Sequence, residues 1–386
     1  MRVLFAGAPG IGHLFPLVPL ARALRGLGHE VAVASMDGGE AVVASGLPFL
    51  PLAPGVDWRT EIRKAGRDLR PDLLRRVVAS NAADREAFVP LAALVNTVVA
   101  DATVELAARW RPDLVVYEYL FPAALLAATS LGVPAVQHDL GVARTPALRA
   151  LMLTEMADAF ARHGVGRLPQ DAATLDLCPP SMAAGGQRYG WPMRPVAYSG
   201  EGELPLSLPS PARRPRVAVT LGTVAPKLDG LSRIERVVEA AARVDADFVL
   251  ATGDLDLGAL GPLPANVRPY GWVPWRALLD TCTAAVHHGG SGTALGALDA
   301  GVPQLLLPDG SDRFVTADAV RDRGAGLSAT AAEVDADLLN HLLTDPALRR
   351  AAREVRTEIA TLPAPASLEP RLTALASRTV PAGQRS

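Results

Sequence analysis

The chain has little of what marks several protein classes. Its two cysteines, Cys178 and Cys282, lie far apart and form no Cys-x-x-Cys pair. That argues against a disulfide framework or a thiol-rich metal site, and fits a reducing cytoplasm. Lysine is nearly absent, with only Lys64 and Lys227, and the formal net charge is −2. With no basic block, nucleic acid is a poor candidate partner. Long apolar runs are missing too. The most apolar stretch, 114–136, is broken by Glu118, Pro122 and Pro134, so no segment reads as a membrane span. Residues 2–6 read as a first strand rather than part of a signal peptide. There is no Gly-x-x-x-x-Gly-Lys-Ser/Thr, which excludes a nucleotide-hydrolysing P-loop.

What remains is ordinary for a globular enzyme: 386 residues, 49% hydrophobic and 20% charged, enough for two domains. Both halves alternate short apolar strands with longer helical stretches. Strands are predicted at 3–6, 30–34, 48–52, 114–117 and 135–137, then at 216–220, 247–251, 267–270, 284–287 and 304–307. Helices are predicted at 14–27, 91–110, 121–131, 232–243, 293–300 and 315–323. Such alternation implies an α/β protein with two doubly wound parallel sheets. The predicted division is 1–200, a Pro- and Gly-rich linker at 201–214, 215–365, and a terminal helix and tail over 366–386. Ligands bind beyond the strand C-termini of such sheets, so the site is expected between the domains.

The most informative segment runs from Ala284 to Pro308. An apolar strand ends in His287-His288, breaks into Gly289-Gly290-Ser291-Gly292, and restarts as a helix at Thr293. Glycines at such a turn let N–H groups converge at a helix N-terminus, where a phosphate or diphosphate fits. Neighbouring strand residues point to opposite faces, so the two histidines do not suggest a metal site. Thr220-Leu-Gly222-Thr223 offers hydroxyls and amides to the same point. Gly271-Trp272-Val273 offers a flat side chain for a base, and Pro308-Asp309-Gly310-Ser311-Asp312-Arg313 offers carboxylates to sugar hydroxyls. Trp272 as core and Asp312 as a helix cap are the plainer alternatives.

In the first half, Gly10-Ile-Gly12-His13 fails the dinucleotide fingerprint at its third glycine. His13 then stands at a helix mouth, where the dipole should keep it neutral and able to accept a proton; a packing role is equally open. Glu118, ending an apolar strand, is the candidate orienting carboxylate, with a helix-start role as the alternative. Gln137-His138-Asp139 ends the next strand in a further polar set. Trp58, Phe88, Met152 and Met156 are candidates for an apolar acceptor pocket, although such residues at helical spacing also suit a core.

Taken together, these residues resemble the GT-B glycosyltransferases of bacterial natural-product biosynthesis, above all those acting on enediyne and aromatic polyketide aglycones. The resemblance spans the whole chain. It is carried by Gly10-Ile-Gly12-His13-Leu-Phe-Pro16, Gly271-Trp272-Val273-Pro274 and His288-Gly289-Gly290-Ser291-Gly292-Thr293, with Asp312 downstream. It implies two Rossmann-like domains, with the acceptor on the first and the nucleotide sugar on the second. It further implies His13 as the base, and His288, Gly290 to Thr293 and Thr223 on the diphosphate. Trp272 and Val273 would border the base, and Asp312 would meet the sugar. The implied reaction is an inverting transfer from a nucleoside diphosphate, expected to be thymidine diphosphate, with no metal or other cofactor.

Three departures bear on this. Many relatives have Asp at Glu118, and many have Gln at Arg313, which leans the expectation toward a deoxysugar. Asp139 stands where an acid has been implicated in glycosylation of aromatic carbon, so C-transfer stays open. A sugar-nucleotide epimerase of the same architecture is the alternative from another class. The acceptor, the particular sugar and the oligomeric state, a homodimer included, are not legible.

Overall fold

The computed structural model describes residues 1–79, 85–143, 146–183, 189–205, 208, 214–222, 231–253, 255–310 and 312–377. Two sheets, parallel throughout, organise them. The first has seven strands in the order β3-β2-β1-β4-β5-β6-β7. They are β1 Arg2–Ala6, β2 Glu30–Ser35, β3 Phe49–Pro51, β4 Leu114–Glu118, β5 Ala135–His138, β6 Ala173–Asp176 and β7 Trp191–Pro192. The second has six, in the order β10-β9-β8-β11-β12-β13. They are β8 Arg216–Thr220, β9 Asp247–Ala251, β10 Val267–Tyr270, β11 Ala284–His287, β12 Gln304–Leu306 and β13 Gly326–Ser328.

Central strands are apolar on both faces because helices cover both faces. Val3 to Ala6 and Leu114 to Tyr117 are wholly buried. Each large aliphatic side chain removed from water in this way contributes ~1.5–3 kcal/mol. Edge strands are weaker: β10 has two exposed residues, Arg268 and Pro269, as suits a strand with one unpaired side. In both sheets the strand order reverses beside the first strand, at β1/β4 and at β8/β11. Loops leaving neighbouring strands diverge at such a point and open a crevice.

Helix Arg85–Trp110 corrects the expectation that no segment could span a membrane. Its stretch Ala87–Trp110 is long and apolar enough by length and composition. More than half of that window is buried, and Val89, Val99, Ala100 and Ala107 pack wholly inside the first domain. At the other end of the chain, helix Glu369–Ala376 returns to the first domain. Leu368 and Leu372 are buried in the same apolar cluster as Val3, Phe5 and Leu20, and His29 bonds Glu369 at 3.1 Å.

Candidate active site between two switch points

Strand β1 runs into Gly7–Gly10, and the chain then winds through helix Ile11–Leu14, a 3-10 turn over Phe15–Leu17 and helix Val18–Gly26. Pro16 and Pro19 lack the N–H that a continuous helix would need, so the first turns are broken into these short pieces. His13 sits in the first of them, at the β1/β4 reversal. Its Nδ1 is 3.4 Å from Glu118 Oε1 at the end of β4. Glu118 is completely buried, and its two oxygens accept from Ala8 N (2.9 Å) and Leu120 N (2.8 Å). One carboxylate therefore fixes the glycine turn and faces the imidazole.

About a third of the His13 side chain, 32%, remains exposed. Burial opposes its charged form, but the charge and hydrogen bond of Glu118, with Asp312 adding, outweigh that and raise its pKa. This corrects the expectation from the helix dipole. A four-residue helix has little dipole, and two carboxylates act in the opposite direction. Asp312 belongs to the second domain, so its influence places the two halves of the site within electrostatic reach.

The second half is built at the β8/β11 reversal. After β11, Gly289 turns with φ 87° and helix Ser291–Ala300 begins. Its N-cap is Gly290, and no side chain caps it. The first amides are thus unclaimed by any cap, the arrangement that receives an anion. His287 holds the elbow from behind: its Nδ1 accepts from Gly289 N at 3.0 Å, and its Nε2 meets Gln304 Oε1 at 2.6 Å. Both ring nitrogens are engaged, and burial lowers its pKa to about 4.

His288 lies beside the elbow. Its pKa is held well below the ordinary value by burial first, then by the charges of Arg313, His287 and Arg233. The ring is therefore neutral near pH 7. Its backbone partner is Thr220, and its Nδ1 is buried without a hydrogen-bond partner. A Cβ at Gly222 would stand 2.7 Å from this ring and one at Gly290 2.5 Å from it, so two glycines clamp it. Ser291 Oγ donates to Asp312 Oδ2 at 3.2 Å. Gly12 and Gly292 border open space, as residues lining a cleft should.

Other expected residues divide. Trp272 is 42% exposed and packs against Gly200, just before the linker, and edge-on to Phe15, with centroids 6.5 Å apart. Val273 is buried with Trp275 and Leu278, so its side chain is core. Arg313 pairs with Asp309 in the loop after β12. Asp139 is buried and accepts from Gln137 Nε2 at 2.9 Å, whereas the acids acting on His13 are Glu118 and Asp312. Thr223 lies outside the described residues.

The acceptor set needs correction. Met152 and Met156 are completely buried in the core under the first sheet. Trp58 is half-buried at the start of helix Trp58–Leu69, beneath the Arg59 guanidinium. Phe88 alone joins an apolar wall near the dyad, with Ala8, Tyr119, Leu120, Leu140 and Leu148. Sequence reading missed this wall as a unit because its members come from two helices and three strand ends far apart in the chain, where no single periodicity joins them.

It also missed Gly141, which follows β5. A Cβ there would fall 2.4 Å from Ser291 Cβ, so this glycine is where the first domain touches the phosphate elbow. Gly141→Ala is expected to hold the domains apart and lower kcat on the order of ten- to a hundredfold. Steady-state kinetics beside a thermal melt will show whether activity falls while Tm stays put.

Comparison with known proteins agrees with this geometry. Residues 22–222 match the N-terminal domain of the erythromycin biosynthesis protein CIII-like family, and residues 235–375 match its C-terminal domain. The elloramycin glycosyltransferase ElmGT of Streptomyces olivaceus is 39% identical over 377 residues, covering 96% of this chain and 97% of the relative. The crystal structure of the glycosyltransferase SnogD from Streptomyces nogalater superposes with a TM-score of 0.84 at 40% identity, covering 97% of this chain and 99% of that one. SsfS6 of Streptomyces sp. SF2575, a glycosyltransferase solved with thymidine diphosphate, gives a TM-score of 0.82 at 29% identity, covering 97% and 99%. The two sheets and the cleft between them are thus the GT-B architecture, and the chain belongs to the erythromycin biosynthesis protein CIII-like family of glycosyltransferases.

Proposed function

We propose that this glycosyltransferase moves a deoxysugar from thymidine diphosphate to a hydroxyl of an apolar, polyketide-type aglycone, with inversion at the anomeric carbon. The observation that carries this reading is the opposition of two parts. The His13–Glu118 pair lies at one switch point, an uncapped helix N-terminus at the other, and Asp312 acts on His13 across the gap. The acceptor rests on the Phe88–Leu140 wall, and its hydroxyl proton passes to His13. The freed oxygen attacks the anomeric carbon from the side opposite the diphosphate. As the new C–O bond forms, the old one breaks, and its electron pair stays on the diphosphate at the elbow.

Thymidine diphosphate in SsfS6 supports the donor, and ElmGT supports an aglycone of natural-product type. The deoxysugar assignment rests on Arg313, which stands where many relatives have Gln, and is supported by relatives such as the 10-deoxymethynolide desosaminyltransferase of Streptomyces venezuelae. The protein's own donors take the leaving charge in this reading, with no metal or other cofactor required.

The test is product analysis with thymidine-diphosphate deoxyhexoses and aromatic polyketide aglycones, in buffer containing EDTA. Expected are a glycoside of inverted anomeric configuration and one equivalent of thymidine diphosphate. Conversion of the sugar nucleotide without an acceptor, or activity abolished by EDTA, would contradict the proposal.

A further inference from the structure

Gln304 and His287 stand on neighbouring strands, with Ala285 of β11 paired to Gln304 of β12 and His287 to Leu306. Both side chains are completely buried. Gln304 Oε1 lies 2.6 Å from His287 Nε2, and His287 Nδ1 accepts from Gly289 N at 3.0 Å. These two bonds settle where the imidazole proton sits. Nδ1 faces a donor and is therefore bare, so the neutral ring carries its hydrogen on Nε2 and donates it to Gln304. Gln304 must then present its oxygen. That leaves its Nε2 buried without an acceptor among the described residues.

A buried donor left unpaired opposes folding, and an apolar side chain of similar length would avoid it. The fold nonetheless keeps room for the amide. Gly326, paired with Gln304 on β13, would place a Cβ 2.9 Å from Gln304 Cγ and 2.2 Å from its carbonyl oxygen. What Gln304 supplies is local to the elbow. Gly289 turns at φ 87° with its N–H committed to His287. The amides that follow, from Gly290 into helix Ser291–Ala300, meet no side-chain cap, and their direction depends on the peptide plane held just before them. Trp275 steadies the same helix start: its indole N–H donates to Thr293 O at 3.1 Å, and its ring meets His287 edge-on, with centroids 6.5 Å apart.

We propose that Gln304 is a positioning residue for the diphosphate: it fixes the tautomer and plane of His287, which fixes Gly289 and so aims the amides after it. Completely buried, it acts through His287 and not on substrate. This rests on the proposed function, because it takes the elbow to be the diphosphate site.

Nitrogen-15 NMR of histidine-labelled protein reads the tautomer, with the His287 signals identified by their loss in His287→Asn. A bare Nδ1 and a protonated Nε2 are expected near neutral pH, and a protonated Nδ1 overturns the proposal. Gln304→Met keeps the bulk and removes the acceptor. It exchanges one unpaired buried donor for another, so Tm is expected to hold. Titration calorimetry should show thymidine diphosphate bound roughly tenfold more weakly, and thymidine, which lacks both phosphates, bound as in wild type. Wild-type affinity for thymidine diphosphate, or equal weakening for both ligands, overturns the proposal. An Asn at 287 can accept from the N–H two residues on, as in an Asx turn, and needs no Gln304 to do so. Adding Gln304→Met to His287→Asn is therefore expected to weaken thymidine diphosphate binding no further, and additive losses overturn the proposal. Should Gln304→Met fail to fold, His287→Asn against His287→Ala decides. The Asn variant is expected to bind thymidine diphosphate roughly tenfold more tightly. Equal affinities would leave Gln304 nothing to act through and overturn the proposal. Wild-type protein that binds no thymidine diphosphate would instead bring down the functional reading itself.

Discussion

His13→Ala is expected to lower kcat by roughly a hundred- to ten-thousand-fold, the range for loss of a positioned general base. Binding of thymidine diphosphate should survive, because the elbow lies in the other domain. The pH profile gives a second reading of the same residue. A base must be unprotonated to act, and the raised pKa of His13 means that kcat/KM falls on the acid side with a midpoint above the ordinary imidazole value. Glu118→Gln removes the charge responsible, leaving burial to depress the pKa, so that midpoint should move to lower pH. A His13→Ala protein with near-normal turnover, or an acid limb that Glu118→Gln leaves in place, would remove the assignment of the base.

The second large effect is expected at Gly290. Its Cβ position stands 2.5 Å from the His288 ring, and its amide neighbours form the anion seat. Gly290→Val would displace His288 or unwind the helix start, and either change removes donors from the leaving group. Loss of one such donor costs ~10²–10³ in rate. We therefore expect kcat/KM for the donor to fall about a thousandfold, with circular dichroism unchanged. Normal donor kinetics in this variant would mean the diphosphate lies elsewhere.

Both experiments address residues legible in the sequence. Strand positions were clear because buried parallel strands are continuous apolar runs; β8, β9 and β11 fall where the pattern puts them. The phosphate elbow was clear because glycines between a strand and a helix have few other uses. Strands β6, β7 and β13 went unnoticed, since two to four residues at a sheet margin carry no periodicity. Helices Trp58–Leu69, Pro146–Glu155 and Pro346–Thr361 were passed over because their charged faces dilute the apolar pattern.

Site chemistry divided in the same way. His13 and Glu118 stood out as polar residues at apolar strand ends, and the structure brings them together. The sign of the His13 shift was not legible, because it depends on how closely the buried Glu118 carboxylate approaches the ring, with Asp312 adding from the other domain. Gly141 looked like any loop glycine, and its meaning depends on which residue faces it from the other domain. Asp309 was legible only as a loop carboxylate, for its ion pair with Arg233 leaves no trace in either segment alone.

The return of helix Glu369–Ala376 to the first domain bears on recombination between relatives. A hybrid joined only at the linker near 201–214 would carry the wrong partner for Leu368, Leu372 and His29. Exchange of donor halves therefore needs two junctions, the second close to Pro363, whose carbonyl accepts from Arg194 N at 2.8 Å. Helix Glu369–Ala376 therefore travels with the first domain.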